Sequence, residues 1–384
     1  MNREDAAAQP ATAEPLRSRW RRIFGPGLIT GASDDDPSGI ATYSQAGAQF
    51  GYGLGWTMVL TYPLMVSVQM ISARIGRTTG HGIAGVVLLL LLANTINIGA
   101  DLGAMADATH LVIGGPAWVY LVGFAAICAL TQVFMGYRRY VGILKWLTLA
   151  LLAYVATLVI VGVAWGEALR GIVIPDLSWN AAYLTTVVAV FGTTISPYLF
   201  FWQASEEAED VIEVPGRAPL TSAPEQGAAE LQRIEIDTVG GMAASNLVAL
   251  AIIFTTAATL HAAGITDIRT SAEAAEALRP LAGDQAATIF ALGIVGTGLL
   301  AVPVLAGSAA YAIGEAGGWP VGLARKPLQA RAFYATIVLA TAVGMVINFT
   351  TIDPIKALYW AAVINGVVAV PVLAVMMLLT ARAD

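Results

Sequence analysis

Three consecutive carboxylates lie in the middle of an apolar stretch near the beginning of the chain. Residues 33–39 read SDDDPSG, and the flanking residues 24–32 and 40–50 are mostly apolar. A charged side chain at membrane depth is costly and is retained mainly where it faces a cavity, a partner or an ion. Proline and glycine interrupt the helix at the same point, so the freed backbone groups also need partners. Acidic groups at a broken membrane helix are typical of a cation site, and an acidic loop outside the membrane is the alternative.

The composition is that of a membrane protein. Hydrophobic residues make up 57% of the chain and charged residues 12%, with a mean hydropathy of +0.71, whereas soluble domains have about 45–50% and about 25%. The net charge of -6 does not indicate a nucleic-acid partner, because the basic residues cluster in short loops. The single cysteine, Cys128, and the three histidines near predicted span ends argue against disulfides and against a zinc site. We expect a protein of the lipid bilayer without a cofactor.

Apolar segments of about 20 residues, long enough to cross a bilayer, recur along the whole chain. We count about ten such spans, and the first and the sixth are broken. They lie at residues 25–48, 52–74, 83–107, 117–136, 140–165, 182–204, 238–261, 287–313, 332–350 and 355–380.

Basic residues orient these spans. The clusters at 74–77, 138–145 and 325–331 all fall on the cytoplasmic side when the N-terminus is inside, as the positive-inside rule requires. Residues 1–22 end in several arginines and contain no apolar core, which predicts a cytoplasmic tail rather than a cleaved signal peptide. We therefore expect a multi-pass protein of the cell membrane, a bacterial inner membrane, with a cytoplasmic N-terminus.

A second break interrupts the sixth span, where residues 192–197 read GTTISP. A plain proline kink would explain it alone. Breaks at corresponding positions of two halves instead indicate an inverted-repeat transporter, with its site between the breaks at mid-membrane. We accordingly divide a transmembrane domain at 23–384 into a first repeat at 23–165 and a second at 182–380, the latter including an acidic cytoplasmic loop at 206–237.

Three groups of residues carry a resemblance to a known family. The first helix contains GPG at 25–27, DPSGIAT at 36–42 and QAGA at 45–48, the third contains NTINIGADL at 94–102, and the sixth contains SPY at 196–198. This pattern resembles the Nramp (natural resistance-associated macrophage protein) divalent-metal transporters from about residue 23 to the C-terminus. The resemblance implies an all-α membrane protein of the LeuT type, with two five-helix halves in which helices 1 and 6 are broken.

The resemblance also implies a set of metal ligands. The family's metal-binding aspartate corresponds to Asp36. Its asparagine position is occupied by Gly39 and its methionine position by Ser196. Backbone carbonyls one turn before each break, at Ser33 and Thr193, are the other contacts carried over from the family.

The two replacements change the chemistry of the implied site. A thioether favours transition metals, whereas carboxylate, carbonyl and water suit Mg²⁺, Ca²⁺ and Mn²⁺. Glycine and serine leave a wider, all-oxygen cavity, which suits Mg²⁺ because this ion keeps several waters. The pattern thus resembles the Nramp-related magnesium transporters. Mg²⁺ is the expected substrate, and Mn²⁺ is expected as a second one. Helical spacing prevents the three aspartates from facing one ion, so Asp35 is a candidate for the water shell or the pathway, and Asp34 is left open.

The resemblance gives less support to proton coupling. Typical members use acidic residues in helix three and a histidine after the helix-six proline as part of a proton route. Here Asp101 is kept, but Ala104 occupies the second acidic position and Tyr198 the histidine position. We therefore expect transport without protons, although Asp101 could still titrate or pair with Arg331. Tyr198 and Asp101, like Asp35, are candidates for the pathway or for the shell around the ligands.

Three other functions compete with transport of Mg²⁺ as interpretations of this sequence. A proton-coupled Mn²⁺/Fe²⁺ symporter of the typical Nramp type is the nearest alternative. An amino-acid transporter has the same architecture, but three adjacent aspartates would repel a substrate carboxylate. An enzyme is not expected, because the sequence offers no histidine in the middle of a span. We expect a monomer whose partners are the divalent metal ion and the bilayer.

Overall fold

The structure is a computed structural model that describes residues 30–31, 33–81, 83, 86–135, 148–175, 177–214, 216–350 and 353–381. The predicted cytoplasmic tail, the beginning of the first span and the first part of the fifth span lie outside these residues. Within the described ranges all regular structure is helical.

Twelve of the described helices form the framework, and short helical turns connect some of them. They are α1 (Pro37–Phe50), α2 (Gly55–Thr79), α3 (Val87–Ile113), α4 (Ala117–Phe134), α5 (Leu152–Ile160), α6 (Trp165–Val173), α7 (Ala181–Thr194), α8 (Pro197–Glu213), α9 (Gly227–Thr256), α10 (Ala286–Gly317), α11 (Arg331–Ile347) and α12 (Pro354–Ala381).

Seven stretches of the described residues are long and apolar enough to cross a membrane. Two of them contain a pair of helices, since Pro37–Thr79 includes α1 and α2, and Ala181–Ile212 includes α7 and α8. Arg331–Ile347 is a shorter apolar helix. The helices coincide with the predicted spans two to four and six to ten, and α5 lies within the fifth.

The first predicted break is present. The described residues from Thr30 to Asp34 are helical, the helix is interrupted at Asp35 and Asp36, and α1 begins at Pro37. Proline suits the first position of a helix because it lacks the N–H that would have no partner there. Asp36 has extended backbone angles and caps α1 through a hydrogen bond from the amide of Gly39, which is the usual role of aspartate at this position.

The second predicted break is also present. α7 ends at Thr194, Ile195 and Ser196 are not helical, and α8 begins at Pro197. Each of α1 and α8 thus begins with a proline directly after a polar residue. The two breaks thus have the same order of a polar residue followed by a helix-starting proline.

Glycines bring the helices beside the breaks into backbone contact. A Cβ atom at Gly76 would lie 1.9 Å from the carbonyl oxygen of Ala204, so α2 and α8 touch directly. A Cβ atom at Gly192 would lie 2.0 Å from the carbonyl oxygen of Ala362, so α7 and α12 do the same. Such close approach through small residues is characteristic of membrane helices, and it holds both parts of the broken sixth span in place.

The acidic segment at 206–237, predicted as a loop, is mostly helical. α8 continues to Glu213 and α9 begins at Gly227, so only residues 214–226 connect them. The side chain of Glu207 is fully buried and pairs with Arg233, whose Nε atom also lies 2.9 Å from Glu230 Oε2. The prediction failed because it treated these charges as solvated, whereas they neutralise basic groups in the folded protein.

Arg77 at the end of α2 extends this network. Its side chain is fully buried, and its guanidinium donates to the carbonyl oxygen of Ala218 at 2.6 Å and to Gln226 Oε1 at 2.9 Å. A buried cation is tolerated only when it is paired and hydrogen-bonded. The network therefore fixes α2, α9 and the 214–226 connection to one another at one end of the helices.

Candidate metal site

Asp36 lies at the centre of the first break, and both of its carboxylate oxygens accept hydrogen bonds. Oδ1 accepts from the amide of Gly39 at 2.7 Å and from the hydroxyl of Ser38 at 2.8 Å, and Oδ2 accepts from the hydroxyl of Tyr198 at 3.1 Å. A carboxylate has about four lone-pair positions. These hydrogen bonds occupy much of the capacity of the carboxylate, which favours few direct bonds to a cation and further contacts through water.

Tyr198 connects the two breaks. Its hydroxyl lies 3.1 Å from the carbonyl oxygen of Ser33 and 3.1 Å from Asp36 Oδ2. Two of the sequence-predicted ligand groups, the Ser33 carbonyl and the Asp36 carboxylate, thus lie around one hydroxyl that comes from the first turn of α8. The sequence analysis gave Tyr198 as a candidate for the pathway or for the shell around the ligands, and its hydroxyl contacts the Asp36 carboxylate directly.

Ser196 and Thr193 form the other side of the site. The hydroxyl of Ser196 donates to the carbonyl oxygen of Thr193 at 2.7 Å and lies 3.2 Å from that of Gly192. This hydrogen bond satisfies carbonyl groups left without partners at the end of α7. Since the serine proton points back to α7, the lone pairs of its oxygen are available for another partner.

Gly39 is a point of close approach between α1 and α7. A Cβ atom there would lie 3.0 Å from Thr193 Oγ1, 3.3 Å from the ring of Tyr43 and 3.4 Å from the carbonyl oxygen of Asp34. The hydroxyl of Thr193 is buried without a hydrogen-bond partner in the described part of the chain. The five predicted ligand residues therefore belong to one buried region between the breaks.

Asp34 and Asp35 have a different partner from Asp36. Ser245 on α9 places its hydroxyl 2.8 Å from Asp34 Oδ2 and 3.2 Å from Asp35 Oδ1. Within the described residues, no group of three or more histidine, cysteine or acidic side chains is arranged to hold a metal ion. Asp36 is thus the carboxylate that faces the second break, while the other two face α9.

Asp101 lies in the middle of α3 and is fully buried. Both of its carboxylate oxygens lack a hydrogen-bond partner among the described residues, and Arg331, considered as its partner, is exposed and forms no pair with it. α3 packs against α1, which begins directly after Asp36. Asp101 therefore lies on a helix beside the site without touching the two breaks through a hydrogen bond.

Sequence reasoning missed two residues beside the site. Tyr43 follows Gly39 by one helical turn, so helical spacing would have placed it on the same face. Ser245 contacts the acidic run from far along the chain, and no local pattern marks it. A contact between distant segments of this kind becomes visible only in the folded protein.

A cavity of about 400 Å³ lies next to the second turn of α1. It begins at Ala41, about one and a half turns after Asp36, and is also lined by α7, α12 and the segment after α9. Gln45 fixes that segment to α1, because its side chain donates to Thr266 O and accepts from the amide of Ile268, each at 2.9 Å. In the predicted orientation this cavity is on the external side.

A family model described as natural resistance-associated macrophage protein-like matches residues 27–384. The chain is 30% identical over 312 residues to the divalent metal cation transporter MntH of Acidiphilium cryptum, which covers 75% of this chain and 69% of that protein. It is 26% identical over 314 residues to MntH of Chromohalobacter salexigens, with 77% and 70% covered.

Solved structures of similar fold were also found. The manganese transporter of Eremococcus coleocola, in complex with an aromatic bis-isothiourea substituted compound, has a TM-score of 0.67 at 15% identity, with 96% of this chain and 80% of that chain covered. Mhp1, a nucleobase-cation-symport-1 family transporter in a closed conformation, has a TM-score of 0.52 at 15% identity, with 88% and 74% covered. These similarities confirm the predicted helical membrane fold of the LeuT type.

Proposed function

This chain belongs to the family of natural resistance-associated macrophage protein-like (Nramp) proteins, and on that premise we propose that it transports a divalent metal cation across the membrane by alternating access. We propose that Mg²⁺ is the main substrate and that Mn²⁺ is also transported. We also propose that the protein works as a monomer in a bacterial inner membrane. The N-terminus is cytoplasmic in this proposal. The relatives named above, which are described as divalent metal cation transporters, support the general substrate class.

One observation carries the choice of ion, namely that every predicted ligand group is an oxygen. The set consists of the Asp36 carboxylate, the Ser196 hydroxyl and the carbonyl groups of Ser33 and Thr193, and Gly39 contributes space rather than a side chain. Hard oxygen ligands suit Mg²⁺ and Mn²⁺, while softer metals favour nitrogen or sulfur. Because the Asp36 carboxylate already accepts several hydrogen bonds inside the protein, the site suits a cation that keeps part of its water shell, as Mg²⁺ does.

Uptake into proteoliposomes tests this proposal. Purified protein reconstituted with an interior Mg²⁺-sensitive dye should show saturable Mg²⁺ entry, and external Mn²⁺ should compete with it. Vesicles without protein provide the background. Entry of an amino acid without any Mg²⁺ or Mn²⁺ entry would instead support an amino-acid transporter, and Mn²⁺ entry without Mg²⁺ entry would support the typical Nramp substrate.

We predict that a sulfur ligand at position 196 shifts the ion preference. The variant Ser196→Met should raise the uptake of Mn²⁺ or Cd²⁺ relative to Mg²⁺ by about tenfold, equivalent to about 1.4 kcal/mol, because a thioether favours softer metals. Adding Gly39→Asn should strengthen the shift, with Thr193 rotating its hydroxyl away from the new Cβ atom. Competition uptake with each ion measures the order of preference.

The matched control is Ser196→Leu, which adds similar volume without sulfur. If Ser196→Leu shifts the preference as much as Ser196→Met, cavity size rather than ligand softness sets the selectivity. If the order of ion preference is unchanged in Ser196→Met and Ser196→Leu, residues other than Ser196 determine the selectivity.

We further predict that metal entry does not carry protons. An interior pH dye should stay flat while Mg²⁺ enters, because Ala104 and Tyr198 interrupt the relay that a proton would follow from Asp101. Interior acidification that requires Mg²⁺ and disappears in Asp101→Asn would contradict this and would establish a proton-coupled symporter.

A further inference from the structure

A pair of asparagines joins α3 to α12 at the depth of the second break. Asn97 donates from Nδ2 to Asn365 Oδ1 at 2.9 Å, and both side chains are buried. Asn365 precedes Gly366, which is in backbone contact with Gly192 of α7. Since Gly192 immediately precedes Thr193, the asparagine pair lies level with the predicted ligands of the sixth span.

Each asparagine of this pair keeps one buried polar atom without a partner. In the part of the chain that the structure describes, Asn97 Oδ1 and Asn365 Nδ2 form no hydrogen bond. If both amide groups are rotated so that oxygen and nitrogen change places, one donor atom and one acceptor atom still have no partner. A buried unpaired polar group costs about 1–3 kcal/mol, and proteins usually satisfy such groups with ordered water.

The unpaired groups continue along α3 toward the metal site. Asp101 lies one helical turn after Asn97 on the same face, and both of its carboxylate oxygens are also buried without a partner among the described residues. α3 packs against α1, which begins directly after Asp36. α12 packs against α1, α3 and α7, so the helices that carry these groups enclose the same part of the protein.

We propose that Asn97 and Asn365 bind water molecules of the transported cation's hydration shell and thereby favour an ion that keeps its waters. This inference rests on the proposed transport of Mg²⁺. Mg²⁺ dehydrates reluctantly and normally keeps several waters when bound, and those waters need hydrogen-bond partners inside the protein. The amide pair supplies them at the depth of the break, with an unpaired acceptor that suits the hydrogens of metal-bound water.

A purely structural role is the competing explanation, since the amide bond also ties α3 to α12. The two explanations differ in ion selectivity. Loss of a structural link would weaken transport of every divalent ion alike. Loss of partners for bound water would weaken Mg²⁺ transport more than Mn²⁺ transport, because Mn²⁺ is the less demanding of the two in its coordination geometry.

The test compares Asn365→Leu with the wild-type protein in proteoliposomes. The half-saturating concentration of Mg²⁺ should rise roughly tenfold, the loss expected for one water-mediated hydrogen bond in a buried site. That of Mn²⁺ should rise by less than about threefold, equivalent to less than about 0.7 kcal/mol. Asn97→Leu should give the same pattern, and the double variant should add little, because both residues serve the same waters.

Asn94, one turn before Asn97 on α3, provides the matched control. Its Nδ2 atom donates to the carbonyl oxygen of Leu305 at 2.8 Å and lies 3.3 Å from the hydroxyl of Ser308, so it is a structural link between α3 and α10. The variant Asn94→Leu should lower the thermal stability of the detergent-solubilised protein without changing the ratio of Mg²⁺ to Mn²⁺ uptake.

Two outcomes would overturn the inference while leaving the proposed function intact. In one, wild-type protein carries Mg²⁺ and Asn365→Leu keeps the wild-type ratio of the two ions. In the other, Asn94→Leu changes that ratio as much as Asn365→Leu does. If Asn365→Leu does not fold, Asn365→Ser gives the same comparison with a smaller shift. Wild-type protein that carries no Mg²⁺ would refute the proposed function itself.

Discussion

Replacing Asp36 by alanine is expected to abolish Mg²⁺ uptake, with a loss of at least about 100-fold, because the cation would lose the carboxylate that we propose binds it at membrane depth. The side chain also caps α1 through the amide of Gly39. Loss of a cap costs about 1 kcal/mol, so the variant should remain folded with a slightly lower melting temperature. Uptake into proteoliposomes and size-exclusion profiles measure the two effects.

The variant Asp36→Asn separates the charge from the cap. An asparagine can still accept the hydrogen bond from Gly39, so its stability should equal that of the wild-type protein while its Mg²⁺ uptake stays at background. Uptake at the wild-type level by either folded variant would remove Asp36 from the site. A conservative exchange at a nearby position outside the site, such as Gln49→Asn, should leave uptake unchanged.

Among the variants proposed here, Arg233→Ala is expected to cause the largest loss of stability. Arg233 pairs with Glu207, whose side chain is fully buried, and with Glu230 at 2.9 Å. Removing one partner of a buried pair costs about 3–5 kcal/mol, because the other charge is left buried without compensation. We expect Arg233→Ala to lower the melting temperature of the detergent-solubilised protein strongly or to prevent folding.

Two comparisons make this stability prediction specific. Arg279→Ala removes an ion pair with Glu276 in which the side chains are 62% and 46% exposed, and exposed pairs contribute little to stability. That control should melt close to the wild-type protein. The double variant Glu207→Gln with Arg233→Gln removes both charges and should recover much of the loss. A melting temperature of Arg233→Ala equal to that of Arg279→Ala would contradict the prediction.

Some residues of the site could be predicted from the sequence, and others could not. The acidic run, Pro37 and Pro197 could be assigned from the sequence, because a carboxylate or a proline inside an apolar span conflicts with the lipid environment wherever the rest of the chain lies. The choice of Asp36 within the run came from the family resemblance. The orientation of Asp34 and Asp35 toward Ser245 could not be assigned from the sequence. The break changes the backbone angles at this point, so regular helical spacing no longer tells which way each side chain faces.

For the acidic segment at 206–237, in contrast, the composition led to a wrong prediction of a loop. A run of carboxylates with few bases indicates a solvated loop when only the local sequence is considered. In the folded protein Arg77 and Arg233 approach Glu230 from two different helices. Pairing of this kind depends on where the helices lie, and it allows charges to be buried in helices that continue beyond the apolar spans.

The sequence by itself determined that this is a helical membrane protein with two broken helices and a run of carboxylates at the first break. Those properties follow from how each short segment interacts with lipid, and they need no knowledge of distant contacts. The tertiary structure alone decided that Tyr198 joins Ser33 to Asp36 and that Asn97 meets Asn365. The physical reason is that these bonds join residues far apart in the chain, whose meeting depends on how whole helices pack.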